Sequence, residues 1–334
     1  MKKLFFLLAL IGIGTIGYSK DEVDKDNRIE NIITPNPRYC LYYTSSDGEI
    51  VIPYVSSSFN ATILSNTYKD GVGVIEFNAP ITSIGEAAFY DCKNLTNVTI
   101  PDSVTMIGDY AFDDCMNLTN VTIPDSVTII GDYAFSDCSR LASVTIGDGV
   151  TMIGDNAFDE CISLTSITIP DSVTMIGDWA CHDCRCLASV SIVDGVTMIG
   201  DYAFDECISL KSITVPDSVT MIGDCAFSEC RCLTSVTIGD SVTMIGDDAF
   251  YDCRCLTCVT IGDSVTMIGN HAFYNCSRLT SVYCKSTAPP EGYYGMFDYN
   301  ASGCTIYVPM QSVSAYKKAS YWWHYSNAIV GYNY

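Results

Sequence analysis

An Ile-Gly pair stands at Ile84, Ile107, Ile130, Ile153, Ile176, Ile199, Ile222, Ile245 and Ile268, each 23 residues from the next with no insertion. A fixed period of this size marks a solenoid, in which each repeat buries its core only against its neighbours. The 334 residues, which length alone would divide into two domains, therefore read as one continuous rod over residues 81–283. The flanks follow other rules. Residues 1–19 join Lys2 and Lys3 to an apolar run from Leu4 to Ile16 and to Gly17 and Ser19, a secretory signal peptide cleaved near Ser19. Residues 20–38 are charged and aperiodic and read as a disordered linker. Residues 39–80 hold short β-branched and aromatic segments, such as Val74-Ile-Glu-Phe77, between turns at Asp47-Gly48 and Asp70-Gly71, which makes a β-rich N-terminal cap. Residues 284–334 form the C-terminal cap that an open end rung requires. No second apolar stretch reaches the roughly 20 residues of a membrane helix.

Within a repeat, Leu95, Val98 and Ile100 recur as Leu118, Val121 and Ile123. The Val-x-Ile alternation is that of a strand with one face inward, so one parallel strand per rung is expected. Pro-Asp-Ser or Gly-Asp-Gly then turns the chain. Val104, Met106 and Ile107 suggest a second short extended piece. Gly108-Asp109 opens a turn of helix on which Phe112 and Cys115, three apart, share the inward face, with Asp109 as its N-cap. Eighteen cysteines in an exported chain suggest disulfides. However, Cys92, Cys115, Cys138, Cys161, Cys184, Cys207, Cys230, Cys253 and Cys276 fill one repeat position, and such a column packs as buried thiols.

The unit Ile-Gly-Asp-x-Ala-Phe-x-x-Cys-x-x-Leu-x-Ser-Val-Thr-Ile-Pro-Asp-Ser-Val-Thr resembles the 23-residue leucine-rich repeat of BspA-type bacterial surface proteins. The N-terminal segments Tyr43-Thr-Ser-Ser-Asp-Gly48 and Pro80-Ile-Thr-Ser-Ile-Gly85 resemble that family too, as does the tail at Ile306-Tyr-Val-Pro309 and Ile329-Val-Gly-Tyr332. The resemblance implies a curved α/β leucine-rich repeat solenoid at the cell surface, with one parallel strand and a short helical turn per rung and an α+β C-terminal cap. It also implies adhesion to host matrix proteins or to other bacteria. Three departures stand out. Cys181 replaces a Phe, which predicts a small void. Gly147, Val193, Gly239 and Gly262 replace the turn Pro. A Met column runs through Met106, Met152, Met175, Met198, Met221, Met244 and Met267. The last two read as drift.

A formal charge of −22 spread over every repeat repels phosphate backbones and argues against nucleic acid. Only His182, His271 and His324 are present, none beside a nucleophile in a recurring motif, and no phosphate-cradling loop occurs; the chain reads as a non-enzyme without cofactor. Cys181-His-Asp-Cys-Arg-Cys186 lacks the second ligand pair of a zinc site and reads as core filling. Bridges Cys232–Cys255, on rungs about 5 Å apart, and Cys284–Cys304 are candidates. The concave face should present a hydroxyl ladder of Thr99, Thr122, Thr145, Thr168, Thr214, Thr237 and Thr260, either a binding surface or plain β-propensity. Tyr110, Tyr133, Trp179 and Tyr202 share the position after the helix-opening Asp and form either an exposed ligand stripe or a rung-to-rung stack. The Asp column from Asp109 to Asp247 is a set of caps, with Ca²⁺ as the alternative. The serines of Asp-Ser-Val, Ser103, Ser126, Ser172, Ser218, Ser241 and Ser264, resemble short acceptors for O-linked glycans. The aromatic tail with Trp322 and Trp323 either closes the core or offers a carbohydrate platform. The overall reading is a secreted or cell-surface interaction protein that binds an extracellular macromolecule through its repeat surface. A glycan-binding protein and a passive structural protein are the alternatives.

Overall fold

The computed structural model describes residues 39–333; the expected signal peptide and linker lie outside them. Within this span the period in sequence becomes a period in space. Met152 pairs with Met175, Met175 with Met198, and Ser166 with Ser189, all in parallel register. Two columns of strand result. The short column is a ten-stranded parallel sheet of two-residue strands, from Ser83–Ile84 to Glu291–Gly292. The long column carries the Val-x-Ile alternation, as in Ser212–Val215, where Ile213 and Val215 are buried and Thr214 is exposed. It divides into three, two and six strands, the first three sharing a six-stranded sheet with the antiparallel strands of the N-terminal cap, and the breaks lie on either side of the pair Ser166–Ile169 and Ser189–Ile192.

The expected turn of helix does not form. Tyr110 and Asp114 take left-handed φ values of 57° and 59°, and the same two positions do so in every rung, as at Trp179 and Asp183 with 59° and 51°. A right-handed helix does not accommodate two such residues four apart. The amide groups that a helix would bond internally reach the next rung instead: Tyr110 donates to the Asp132 carbonyl at 2.8 Å, Phe112 to Ala134 at 2.8 Å and Asp114 to Ser136 at 3.0 Å. These bonds offset the left-handed strain, of order 1 kcal/mol or more per residue. The α/β expectation thus gives way to a parallel β-solenoid, whose α-helix among the described residues is the four-residue Val313–Tyr316.

The core is a set of identical residues stacked rung on rung. Phe89, Phe112, Phe135 and Phe158 stack with centroids 5.1 to 5.5 Å apart. After a gap at Cys181, the stack resumes through Phe204, Phe227, Phe250 and Phe273. The cysteine column is buried beside it. From the second copy on, each thiol donates to a carbonyl one rung back: Cys115 to Phe89 at 3.2 Å, Cys138 to Phe112 at 3.2 Å, and so on to Cys276 and Phe250 at 3.2 Å. A small apolar side chain that is also a donor satisfies a carbonyl that alanine would leave with one partner fewer. Burial pushes thiols such as Cys138 and Cys161 well above their ordinary pKa, so they are poor nucleophiles. Native-state alkylation followed by mass spectrometry is expected to label the exposed Cys186 and Cys232 and to reach the buried column only on unfolding. Labelling of the column in the folded chain contradicts this packing.

Both ends are covered. At the first rung, β1 (Cys40–Ser45) lies antiparallel to Leu95–Thr99 on one side and to β3 (Val72–Phe77) on the other, with β2 (Ile63–Lys69) outside. At the far end Thr305–Pro309 and Ile329–Tyr332 extend the long column in parallel beyond Ser281–Cys284. Trp322 and Tyr316 are fully buried there, and the Trp322 indole N–H donates to the Pro290 carbonyl at 2.8 Å.

Candidate interaction surface

Four ladders face outward. The first is acidic. Sequence places Asp109 as the cap of its own turn, but its carboxylate accepts the Asp132 amide of the next rung at 3.0 Å. The pattern continues through Asp155, which accepts from Asp178 at 2.8 Å, to Asp247, which accepts from Asn270 at 2.6 Å. These carboxylates therefore cap the rung ahead and tie the turns together. Among the described residues no cluster of three or more His, Cys, Asp or Glu side chains is arranged to hold a metal ion.

The second ladder is the threonine row of the long column. Thr99, Thr122, Thr145, Thr168, Thr214 and Thr237 are exposed and Thr260 is half-buried. Beyond Thr260 the row meets Tyr283, which stacks on Tyr307 at 4.7 Å.

The third ladder went unrecognised in the sequence. In the short strands Ile points inward and the preceding Met points outward, half-buried, as at Met175–Ile176 and Met198–Ile199. A second threonine row runs beside the methionines, each hydroxyl donating to the preceding rung: Thr197 to the Thr174 carbonyl at 3.0 Å, Thr220 to Thr197 at 3.1 Å, Thr243 to Thr220 at 3.0 Å. Together Thr174, Met175, Thr197, Met198, Thr220, Met221, Thr243 and Met244 line an open groove of about 580 Å³ along four rungs. The turns before and after these strands carry exposed carboxylates, Asp171, Asp194, Asp217 and Asp240 on one side and Asp178, Asp201 and Asp224 on the other. The signal was available: a Met one residue before an inward Ile must point out by strand alternation.

The fourth ladder holds the aromatic candidates, which form two pairs. Tyr110 and Tyr133 stack at 4.8 Å with planes 6° apart, and Trp179 and Tyr202 stack at 4.0 Å and 7°. Asn156 occupies the same position between the pairs. Next to the second pair, His182 is held by Asp159 at 2.8 Å, with Asp205 of the following rung 4.0 Å from its other nitrogen.

The family model described as the BspA type Leucine rich repeat region matches residues 61–188 and 174–300, in six copies. The chain belongs to the BspA-type leucine-rich repeat family. Among curated proteins none matches it. Similar solved structures include a leucine rich cell surface protein of Faecalibacterium prausnitzii, 24% identical, covering 83% of this chain and 97% of that one, with a TM-score of 0.35. A leucine-rich repeat protein from Bacteroides ovatus is 22% identical, covering 80% and 90%, with a TM-score of 0.37. The T. pallidum leucine rich repeat protein is 28% identical, covering 60% and 73%, with a TM-score of 0.39. Family membership rests on the repeat match and not on these superpositions. Among the described residues no helix is long and apolar enough to cross a membrane.

The remaining candidates fall in different parts of the BspA-type rung. Ser103, Ser126 and Ser172 donate their hydroxyls to carbonyls of the preceding rung at 2.6 to 2.7 Å, and the Ser218 hydroxyl is buried without a hydrogen-bond partner. Ser241 and Ser264, in the turns opened by Gly239 and Gly262, are exposed. Cys232, Cys255 and Cys304 stand as thiols, so neither candidate bridge, Cys232–Cys255 or Cys284–Cys304, is formed in this structure. In the tail Trp323 is exposed and stacks on His324 at 3.6 Å, while Trp322 is buried.

The acidic leucine-rich repeat turns also set a pH dependence. Burial, followed by neighbouring carboxylates, raises Asp113 and Asp137 to about 6; burial raises Asp205 to about 6. For His182 burial alone lowers the pKa, but the Asp159 hydrogen bond and the charges of Asp159, Asp205 and Asp183 outweigh it and raise the value. All four groups hold protons in the folded state that the unfolded chain has released. Their stabilisation is therefore complete at low pH and is lost as pH rises through the folded values. Thermal unfolding is expected at a higher temperature at pH 5 than at pH 8; the reverse order contradicts these environments.

Proposed function

We propose that this is a secreted or cell-surface interaction protein, without enzymatic activity, whose groove takes an extended, basic polypeptide segment of an extracellular partner. The observation that carries this reading is the Thr–Met groove along four rungs between two rows of exposed aspartates. A polarizable, adaptable methionine floor suits apolar side chains of varied shape. Carboxylates along both sides favour Lys and Arg and oppose acidic partners. The net charge of −22 acts in the same direction by steering cationic partners toward the surface. Cell-surface placement is supported by membership of the BspA-type family. Binding to immobilised matrix proteins is the test, measured as salt is raised from about 0.05 to 0.5 M, which shortens the range of exposed charges severalfold. A basic partner held this way is released progressively. Saturable binding that does not respond to salt contradicts the charge pairing.

A further inference from the structure

We propose that the gap over Asn156, between Tyr133 and Trp179, is a binding slot for one pyranose ring of a glycan. Residues at this position stack along the solenoid axis in the order Tyr110, Tyr133, Asn156, Trp179, Tyr202. The Tyr110–Tyr133 separation of 4.8 Å at 6° matches the rung repeat of about 4.8 Å, so these rings lie across the axis and cover each other. Each pair consumes its inner faces. The outer faces of Tyr133 and Trp179 are turned toward the Asn156 rung from opposite sides, with the His182 ring meeting Trp179 at 4.8 Å and 74°, and the short side chain of Asn156 does not fill a ring's place.

Two rung repeats separate these faces by about 9.6 Å. The Trp179–Tyr202 distance of 4.0 Å is shorter than one repeat, so these two rings lean together and the slot is not narrowed. A flat ring packed on both sides at carbon contact distance needs only about 7 Å between walls, and a puckered sugar chair about 8 Å; the chair is the better fit. The polar groups are those a sugar requires. The Asn156 amide offers a donor and an acceptor at the floor. Asp155 and Asp178 are exposed on the neighbouring positions, and each commits one carboxylate oxygen to the amide of the next rung, which leaves the other for a hydroxyl.

The test uses the full chain and a panel of soluble oligosaccharides of glucose, galactose, mannose and N-acetylglucosamine, followed by tryptophan fluorescence and calorimetry. Asn156→Tyr fills the slot with a third ring. It should fold, since Tyr110, Tyr133 and Tyr202 already take left-handed φ values of 57°, 56° and 56°, against 56° at Asn156. At least one saccharide is expected to bind the natural chain, with about tenfold or greater loss in Asn156→Tyr and in Tyr133→Ala. A variant with both Met198 and Met221 changed to Lys should bind it normally, which separates this site from the groove. No binding anywhere in the panel, or equal binding by a folded Asn156→Tyr chain, overturns the proposal.

Discussion

Replacing Gly177 with Ala is expected to cost about 3 kcal/mol of folding stability, the upper range for forcing a methyl group into a packed interior. The added Cβ would stand 2.6 Å from the Gly154 carbonyl carbon and from the Asp155 carboxylate, and 2.7 Å from the Asp155 amide nitrogen. None of these can move alone. Gly177 donates to Ile153 at 2.9 Å, and Asp155 accepts from Asp178, so relief requires prising two rungs apart. The matched control is Gly48→Ala, whose Cβ meets nothing within 4 Å but whose φ of 76° strains any side chain. That change should cost about 1 kcal/mol. Denaturant midpoints of the two variants decide the matter, and a smaller loss at Gly177 than at Gly48 contradicts the close approach of the rungs.

The aromatic core gives the second large effect. Phe135→Ala is expected to lose about 3 to 5 kcal/mol, as buried Phe truncations do, because its ring stacks on Phe112 at 5.1 Å and on Phe158 at 5.5 Å. Phe158 has a stacked ring on one side only, since Cys181 holds the next position. Phe158→Ala should therefore cost about 1 kcal/mol less than Phe135→Ala, the worth of one ring pair. Equal losses would mean that the interruption at Cys181 does not weaken the column.

How much of this was legible in the sequence depends on the range of the interaction. The strands and the buried columns were readable because burial repeats every 23 residues and alternates within each rung, and both are patterns of residue type. The turn from Asp109 to Cys115 was not. The i, i+3 spacing of Phe112 and Cys115 fits one turn of helix and a left-handed turn equally well; the Asp, Glu or Asn recurring at the Asp114 position is only a mild left-handed signal, and Tyr110 carries none. The role of Asp109 was hidden for a different reason. Local capping looks a few residues ahead, whereas the amide it accepts belongs to Asp132, 23 residues away. The methionines look like drift against the family pattern, yet strand alternation beside the buried Ile176 places Met175 on the outward face. For the aromatic stripe, sequence supplied the neighbours. Only the separations of 4.8 and 4.0 Å reveal that two pairs cover their own faces and leave a gap at Asn156.

The most direct test of the proposed function is a comparison of the natural chain with the variant carrying Met198→Lys and Met221→Lys on the same panel of immobilised matrix proteins. Both methionines are half-buried on the outward face, so the variant should keep its thermal transition within a few degrees. Saturable binding by the natural chain, lost by about tenfold or more in the variant, is the expected result. Undiminished binding by the folded variant, or no binding by either chain, would contradict the assignment of the groove as the interaction surface.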